Sequence, residues 1–235
     1  MTKLMYLTDS YKKEFYATIG GVIEDKKVIL DETYLYCQSG GQPSDKGIII
    51  HNNEEFKVLE VKKEDGKIIH ILDKKGLKVN DKVKCKIDWE RRYKLMKMHT
   101  AAHVISSIIH KETGAMITGN QLDTEKSRID FSLEKFNKEN MENYIKKANE
   151  EIKKDHKITV STISKEEAKK IKNLSKLAKG LPPDLKEIRI VTIGNLDEQG
   201  DGGTHVNSTK EIGAIKLLSI ENKGKSNRRL YFSLE

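Results

Sequence analysis

Apolar positions in the first third of the chain fall in short runs that alternate with polar ones. Segments 27–37 (KVILDETYLYC), 47–53 (GIIIHNN), 56–63 (FKVLEVKK), 67–73 (KIIHILD) and 82–88 (KVKCKID) are rich in Val, Ile and Tyr, and turn-forming stretches such as HNNEE, KEDGK and KKGLKVND separate them. Several short strands with regular turns predict a small barrel or sandwich. The pattern changes at Asp88, a suitable N-cap for a helix from Trp89 to about Glu112. Lys111 complements the C-terminus of that helix, and Gly114 follows as a stop.

A second helical stripe, made by Met141, Tyr144, Ile145, Ala148 and Ile152, predicts a helix over 138–154. Strands are predicted at 158–163 (ITVSTI) and 187–193 (EIRIVTI). Between them SKEE (164–167) has the capping-box pattern that opens a third helix, and LPPD (181–184) ends that region. Segments 213–222 and 228–234 predict a closing hairpin around KGKSN. The expected architecture is α+β, with a β-barrel domain at 1–87 and a second, α+β domain at 88–235.

With 235 residues, 36% hydrophobic and 34% charged, the chain is long enough for a sizeable core beneath a charged surface. No apolar run approaches the roughly 18 residues that cross a bilayer. The N-terminus, MTKLMYLTDSYKKEF, lacks the uninterrupted apolar core of a signal peptide. The expectation is a cytoplasmic protein with no membrane partner. The two cysteines, Cys37 and Cys85, are too few for a disulfide framework and predict half-buried or exposed free thiols. Net charge is +8, carried by 38 Lys and 6 Arg. Such an excess suits a polyanionic partner, and it equally suits a lysine-rich composition with no such partner.

Candidate chemistry begins in MKMHTAAHVISS (96–107). His99 and His103 share one helix face with Cβ atoms roughly 5–6 Å apart, the spacing of a metal-binding pair. Thr100 stands where an HExxH zinc protease would carry its glutamate. Alone, the pair reads as two ordinary helix histidines. A second pair, Asp201 and His205, lies in EQGDGGTHVNSTKEIG (198–213), a loop because Gly202 and Gly203 weaken a helix. Two split pairs far apart in sequence are a common way to build a tetrahedral site. Together they offer three nitrogens and one oxygen, or three histidines and an open position if Asp201 stands back. His110 lies roughly 10 Å further along the helix and is too far to join. A third motif, LYCQSGGQPSDKG (35–47), predicts a flexible loop at Gly40 and Gly41 from which Gln42 projects its amide.

Taken in order, GGQPSDKG, RRYKLMKMHTAAH and DGGTHVNSTKEIG resemble the editing region of alanyl-tRNA synthetase. SRIDFSL (127–133) and RRLYFSL also resemble strands of that region, so the resemblance covers about 30–235. With no room expected for an aminoacylation domain, the chain resembles the freestanding alanyl-tRNA editing proteins of AlaX type. That resemblance implies an N-terminal barrel followed by an editing domain like the second additional domain of threonyl- and alanyl-tRNA synthetases. It implies a trans-editing hydrolase that deacylates Ser-tRNA-Ala, and in some members Gly-tRNA-Ala, with one Zn2+ ion as cofactor. An aminoacyl ester is activated, so a metal that polarises the carbonyl or a water can suffice without a dedicated glutamate.

The resemblance puts His99, His103 and His205 forward as metal ligands. Asp201 stands where the family carries cysteine, and Ser39 replaces a glycine of its GGGQP loop. Gly40, Gly41, Gln42, Thr100 and Thr204 are the implied substrate contacts. The stretch 164–186 carries seven lysines against three acidic residues, which makes Lys169, Lys170 and Lys172 candidate phosphate contacts. Two other readings stay open: a related hydrolase acting on Ser-tRNA-Thr, and a tRNA-binding module without catalysis.

Overall fold

The computed structural model describes residues 2–134, 137–171, 174–177 and 187–235. The chain divides into two compact units, Met1–Lys94 and Leu95–Glu235.

The first unit carries β1 (Lys3–Leu4), β2 (Glu14–Ile23), β3 (Lys27–Leu30), β4 (Glu32–Thr33), β5 (Gly47–His51), β6 (Glu54–Glu64), β7 (Lys67–Leu72) and β8 (Lys82–Ile87). Six of them close into a barrel in the order β2-β3-β7-β6-β5-β8. Closure leaves no unpaired sheet edge. Alternate residues point inward, and Ile19, Val28, Ile49, Phe56, Val61 and Cys85 are buried in the core. β2 is absent from the expected strands, since EFYATIGGVI is broken by two glycines. The pairing with β3 shifts register there, and a Cβ on Gly21 would sit 3.2 Å from Ile29. The expected strand 27–37 stops early. The Asp31 carboxylate accepts from the Thr18 and Glu32 amides at 2.8 and 2.9 Å and bends the chain. Both cysteines are buried free thiols, not the exposed or half-exposed ones expected.

α1 (Trp89–Thr113) runs from the first unit into the second. Asp88 caps it, its carboxylate accepting from the Arg91 amide at 3.1 Å. Gly114 ends it with φ +73°. The second unit adds β9 (Ile117–Gln121), β10 (Ser127–Phe131), α2 (Lys138–Lys153), β11 (Ile158–Ser164), the single-turn α3 (Lys165–Ala168), β12 (Glu187–Ile193), β13 (Asp197–Gly200), β14 (Ile215–Asn222) and β15 (Arg228–Leu234). They form a sheet β14-β15-β10-β9 and a sheet β11-β12-β13. α2 buries Met141, Ile145, Ala148 and Ile152, while the Asn149 amide exchanges two 2.8 Å hydrogen bonds with Ile215 of β14. Asp130 of the SRIDF strand receives the fork of Arg229 from β15 at 2.7 and 2.9 Å. The capping box of Ser164 and Glu167 is present, but it opens only one helical turn. LPPD lies outside the described residues. Among the described residues, no helix is long and apolar enough to cross a membrane.

Candidate metal centre

α1 beyond Lys94 is apolar on nearly all sides: Leu95, Met96, Ala101, Val104, Ile105 and Ile109 are all at most 1% exposed. Such a helix lies inside its domain, so its polar residues must find partners there. His99 and His103 are buried, with ring centroids 5.1 Å apart. His205 reaches the same point from the loop after β13, its centroid 4.4 Å from that of His99 and 4.8 Å from that of His103. Asp201 completes the group. One of its carboxylate oxygens lies 3.5 Å from His99 Nε2 and 4.0 Å from His103 Nε2, and the other lies 3.0 Å from His205 Nε2. The ligand atoms of all four residues fall within 4.8 Å of one another. The two pairs, about a hundred residues apart, therefore meet, and the group could hold a metal ion. At zinc–nitrogen distances of about 2.0–2.1 Å, neighbouring ligands of a tetrahedral ion sit about 3.3 Å apart. The spacing here suits such an ion.

Burial sets the charge of these groups. It lowers His99 well below the ordinary histidine range and brings His205 down to about 4. Both rings are therefore neutral near pH 7, with lone pairs available to a cation. Burial alone would raise Asp201, but the neighbouring His99, His205 and His103 outweigh it and keep the carboxyl ionised.

The loop that carries Asp201 and His205 is held at both ends. The Asp201 amide donates to the Arg189 carbonyl at 3.0 Å, and the Arg189 guanidinium donates back to the Asp201 carbonyl at 2.8 Å. The Gly203 amide donates to the Asp201 carboxylate at 2.5 Å. Beyond His205, the Asn207 and Ser208 amides donate to Glu211, and Thr209 bonds both Ile152 at the end of α2 and the His156 amide. The polar residues of NSTKEIG thus anchor the loop, a role that sequence reading did not assign.

Three supporting residues were also missed. Asp197 on β13 is buried, and its carboxylate lies 3.1 Å from His103 Nδ1. That contact puts the proton of His103 on Nδ1 and leaves Nε2 for the site. The Gln199 amide donates to Asp197 at 2.7 Å, and Lys176 forms an ion pair with it. Burial would raise Asp197, but His103 and Lys176 outweigh it and hold its carboxyl at about 2. Asp197 and Gln199 lie two apart on a strand and so share a face, but their short segment has no strand-like apolar pattern.

Thr100 and Thr204 are both fully buried. The Thr100 hydroxyl donates to the Met96 carbonyl at 3.0 Å, lies 3.1 Å from His205 Nδ1 and accepts from the Val206 amide at 3.3 Å. It holds His205 in place. His110 belongs elsewhere, with Nδ1 donating to the Ala115 carbonyl. Gly40, Gly41 and Gln42 belong to the first unit. Ser39 and Gln42 exchange two backbone hydrogen bonds at 2.9 and 3.2 Å, and both glycines between them have positive φ, +57° and +88°. This is the φ pattern of a type I′ turn, which glycine favours at both central positions. The loop is a pinned turn, and Gln42 is buried inside it, where a flexible loop with a projecting amide was expected. Lys169 and Lys170 are exposed, and Lys172 lies outside the described residues.

A family model for class II (A) tRNA synthetases matches residues 2–91, and one for the threonyl and alanyl tRNA synthetase second additional domain matches residues 188–231. The chain is 48% identical over 241 residues to the alanyl-tRNA editing protein AlaX-M of Methanosarcina barkeri, covering 100% of this chain and 99% of that protein. This chain belongs to the alanyl-tRNA editing protein family. Another AlaX-M, from Saccharolobus solfataricus, is 43% identical over the full length of both chains. The alanine–tRNA ligase of Pyrobaculum calidifontis is 35% identical over 227 residues, which are 94% of this chain and 25% of the ligase. The barrel followed by an α+β domain is thus the architecture of an editing-family protein.

Proposed function

We propose that this chain deacylates tRNA-Ala mischarged with serine, by ester hydrolysis assisted by one zinc ion at His99, His103, His205 and Asp201. As a family member it is an aminoacyl-tRNA deacylase of the alanyl-tRNA editing type. The finer reading rests on the convergence of three imidazoles and one carboxylate at a single point. A zinc ion held there supplies Lewis acidity to the ester carbonyl. Asp197 fixes the His103 ring with Nε2 inward, Thr100 fixes His205, and Arg189 and Gly203 hold Asp201.

Serine is the expected amino acid for a physical reason. A pocket for alanine cannot strongly reject a residue that only adds a hydroxyl, so a second site must do so. A site that hydrogen-bonds the hydroxyl spares alanine by about 10⁴-fold or more. The tRNA needs basic surface, and Lys169 and Lys170 are exposed candidates. Deacylation of Ser-tRNA-Ala measured beside Ser-tRNA-Thr tests the reading. Faster release from tRNA-Ala is expected, and faster release from tRNA-Thr would overturn it.

A further inference from the structure

The outer face of the barrel along β2 and β8 carries a pattern that barrel closure does not require. The two strands pair antiparallel, with Glu14 opposite Lys86, Tyr16 opposite Lys84 and Thr18 opposite Lys82. The intervening residues Phe15, Ala17, Val83 and Cys85 fill the core, so these six side chains face outward. Tyr16 is 74% exposed, the most exposed large hydrophobic residue among those described. A single exposed apolar residue is ordinary. Here the ring lies in the same row as a lysine and next to two more, at strand spacings of about 6.7 Å. Three lysines face one acid, Glu14, which sits 2.6 Å from Lys84 and 3.8 Å from Lys86. The row continues past the end of β8. There the Ile87 amide donates to the Lys13 carbonyl, and the Lys13 ammonium stands 4.7 Å from the Trp89 ring centroid.

We infer that this β2–β8 face is an RNA-contacting surface, with a base stacked on Tyr16 and backbone phosphates on Lys82, Lys84 and Lys86. An aromatic ring set among cations on an open strand face is the arrangement that binds nucleic acid. The ring offers a stacking plane to any base, and each lysine that neutralises a phosphate releases a counterion. The surplus positive charge fits a polyanion. The surface deepens the proposed function, since the RNA it engages is the tRNA substrate, and it rests on that reading.

The test is binding of full-length protein to tRNA-Ala transcript, followed by fluorescence anisotropy across a salt series. Three proteins are compared with the wild type: Tyr16→Ala, the triple variant Lys82→Gln, Lys84→Gln, Lys86→Gln, and a control triple Lys63→Gln, Lys67→Gln, Lys75→Gln with the same charge loss away from this face. Tyr16→Ala is expected to weaken binding about tenfold. The β8 triple is expected to lower the slope of log affinity against log salt by about two to three, and the control triple to leave it nearer the wild type. Unchanged affinity in Tyr16→Ala overturns the assignment. A slope in the β8 triple equal to that of the wild type or the control also overturns it. An acidic protein as the true occupant would give those unchanged results. If the wild type itself binds no tRNA, the proposed function falls together with the surface. If the wild type binds and deacylates while both variants match it, only the surface falls.

Discussion

The carboxylate of Asp197 and Nδ1 of His103 are 3.1 Å apart inside the second unit, so a strand residue sets the proton position of a helix histidine 94 residues away in sequence. Partners of this kind typically account for 10–100-fold in metal affinity. Asp197→Asn is expected to weaken zinc binding by about that factor, read by competition with a chromophoric chelator. Equal zinc affinity in the variant and the wild type would show that His103 is oriented by other means.

Asp201 presents oxygen where a thiolate would be a softer donor. Asp201→Cys is expected to bind zinc more tightly than the wild type. Asp201→Ala is expected to bind it at least about tenfold more weakly, the loss of one modest ligand interaction. The same competition assay ranks the three proteins, and Asp201→Ala binding as well as the wild type would remove Asp201 from the ligand set.

His70 lies fully buried in the barrel, 3.0 Å from the Thr33 hydroxyl, and burial lowers its pKa to about 4. The unfolded chain, with a pKa near 6.5, is protonated first on acidification. The stability contributed by neutral His70 is complete above about pH 6.5 and is lost as pH falls toward 4. The loss amounts to about 3 kcal/mol over that window. Urea unfolding of metal-free protein at pH 7 and pH 4.5 should show a shallower pH dependence in His70→Gln than in the wild type. Equal slopes would mean that His70 does not carry the effect.

Arg92 and Asp45 form an ion pair with neither side chain exposed. Arg92 also donates to the carbonyls of Ser10 at 2.9 Å and Tyr34 at 2.5 Å, while Asp45 accepts from the Tyr36 amide at 2.7 Å. The pair thus ties the first turn of α1 to the segment that follows the Gly40–Gly41 turn. Removing one partner strands a buried charge, so Arg92→Met and Asp45→Ala are each expected to cost about 3–5 kcal/mol in denaturant unfolding. A loss under about 1 kcal/mol in both would show that water reaches the pair.

The parts of this molecule that were legible in the sequence are those written in local periodicity. The Val- and Ile-rich strands of the barrel, the amphipathic stripe of α2, the Asp88 cap and the closing hairpin all follow from short-range pattern. β2 was hidden because two glycines at a bulge interrupt its alternation. β13 was hidden because its four residues are mostly polar. The two pairs of the candidate metal centre could be picked out because i, i+4 spacing is itself local, though their meeting depends on tertiary packing. Asp197, Gln199, Lys176 and Arg189 left no mark in the sequence, since a buried ion pair or a carboxylate behind a histidine has no spacing rule. The glycines of the GGQ turn were visible as glycines, but their fixed positive φ and the burial of Gln42 were not.

The most direct measurement is serine release from Ser-tRNA-Ala beside alanine release from Ala-tRNA-Ala, with metal content determined on the same preparation. The proposed reading predicts about one zinc per chain for a one-ion tetrahedral site, with serine released and alanine spared. It also predicts that chelation and His103→Ala each abolish release. Serine release that persists undiminished without metal and in His103→Ala would contradict it.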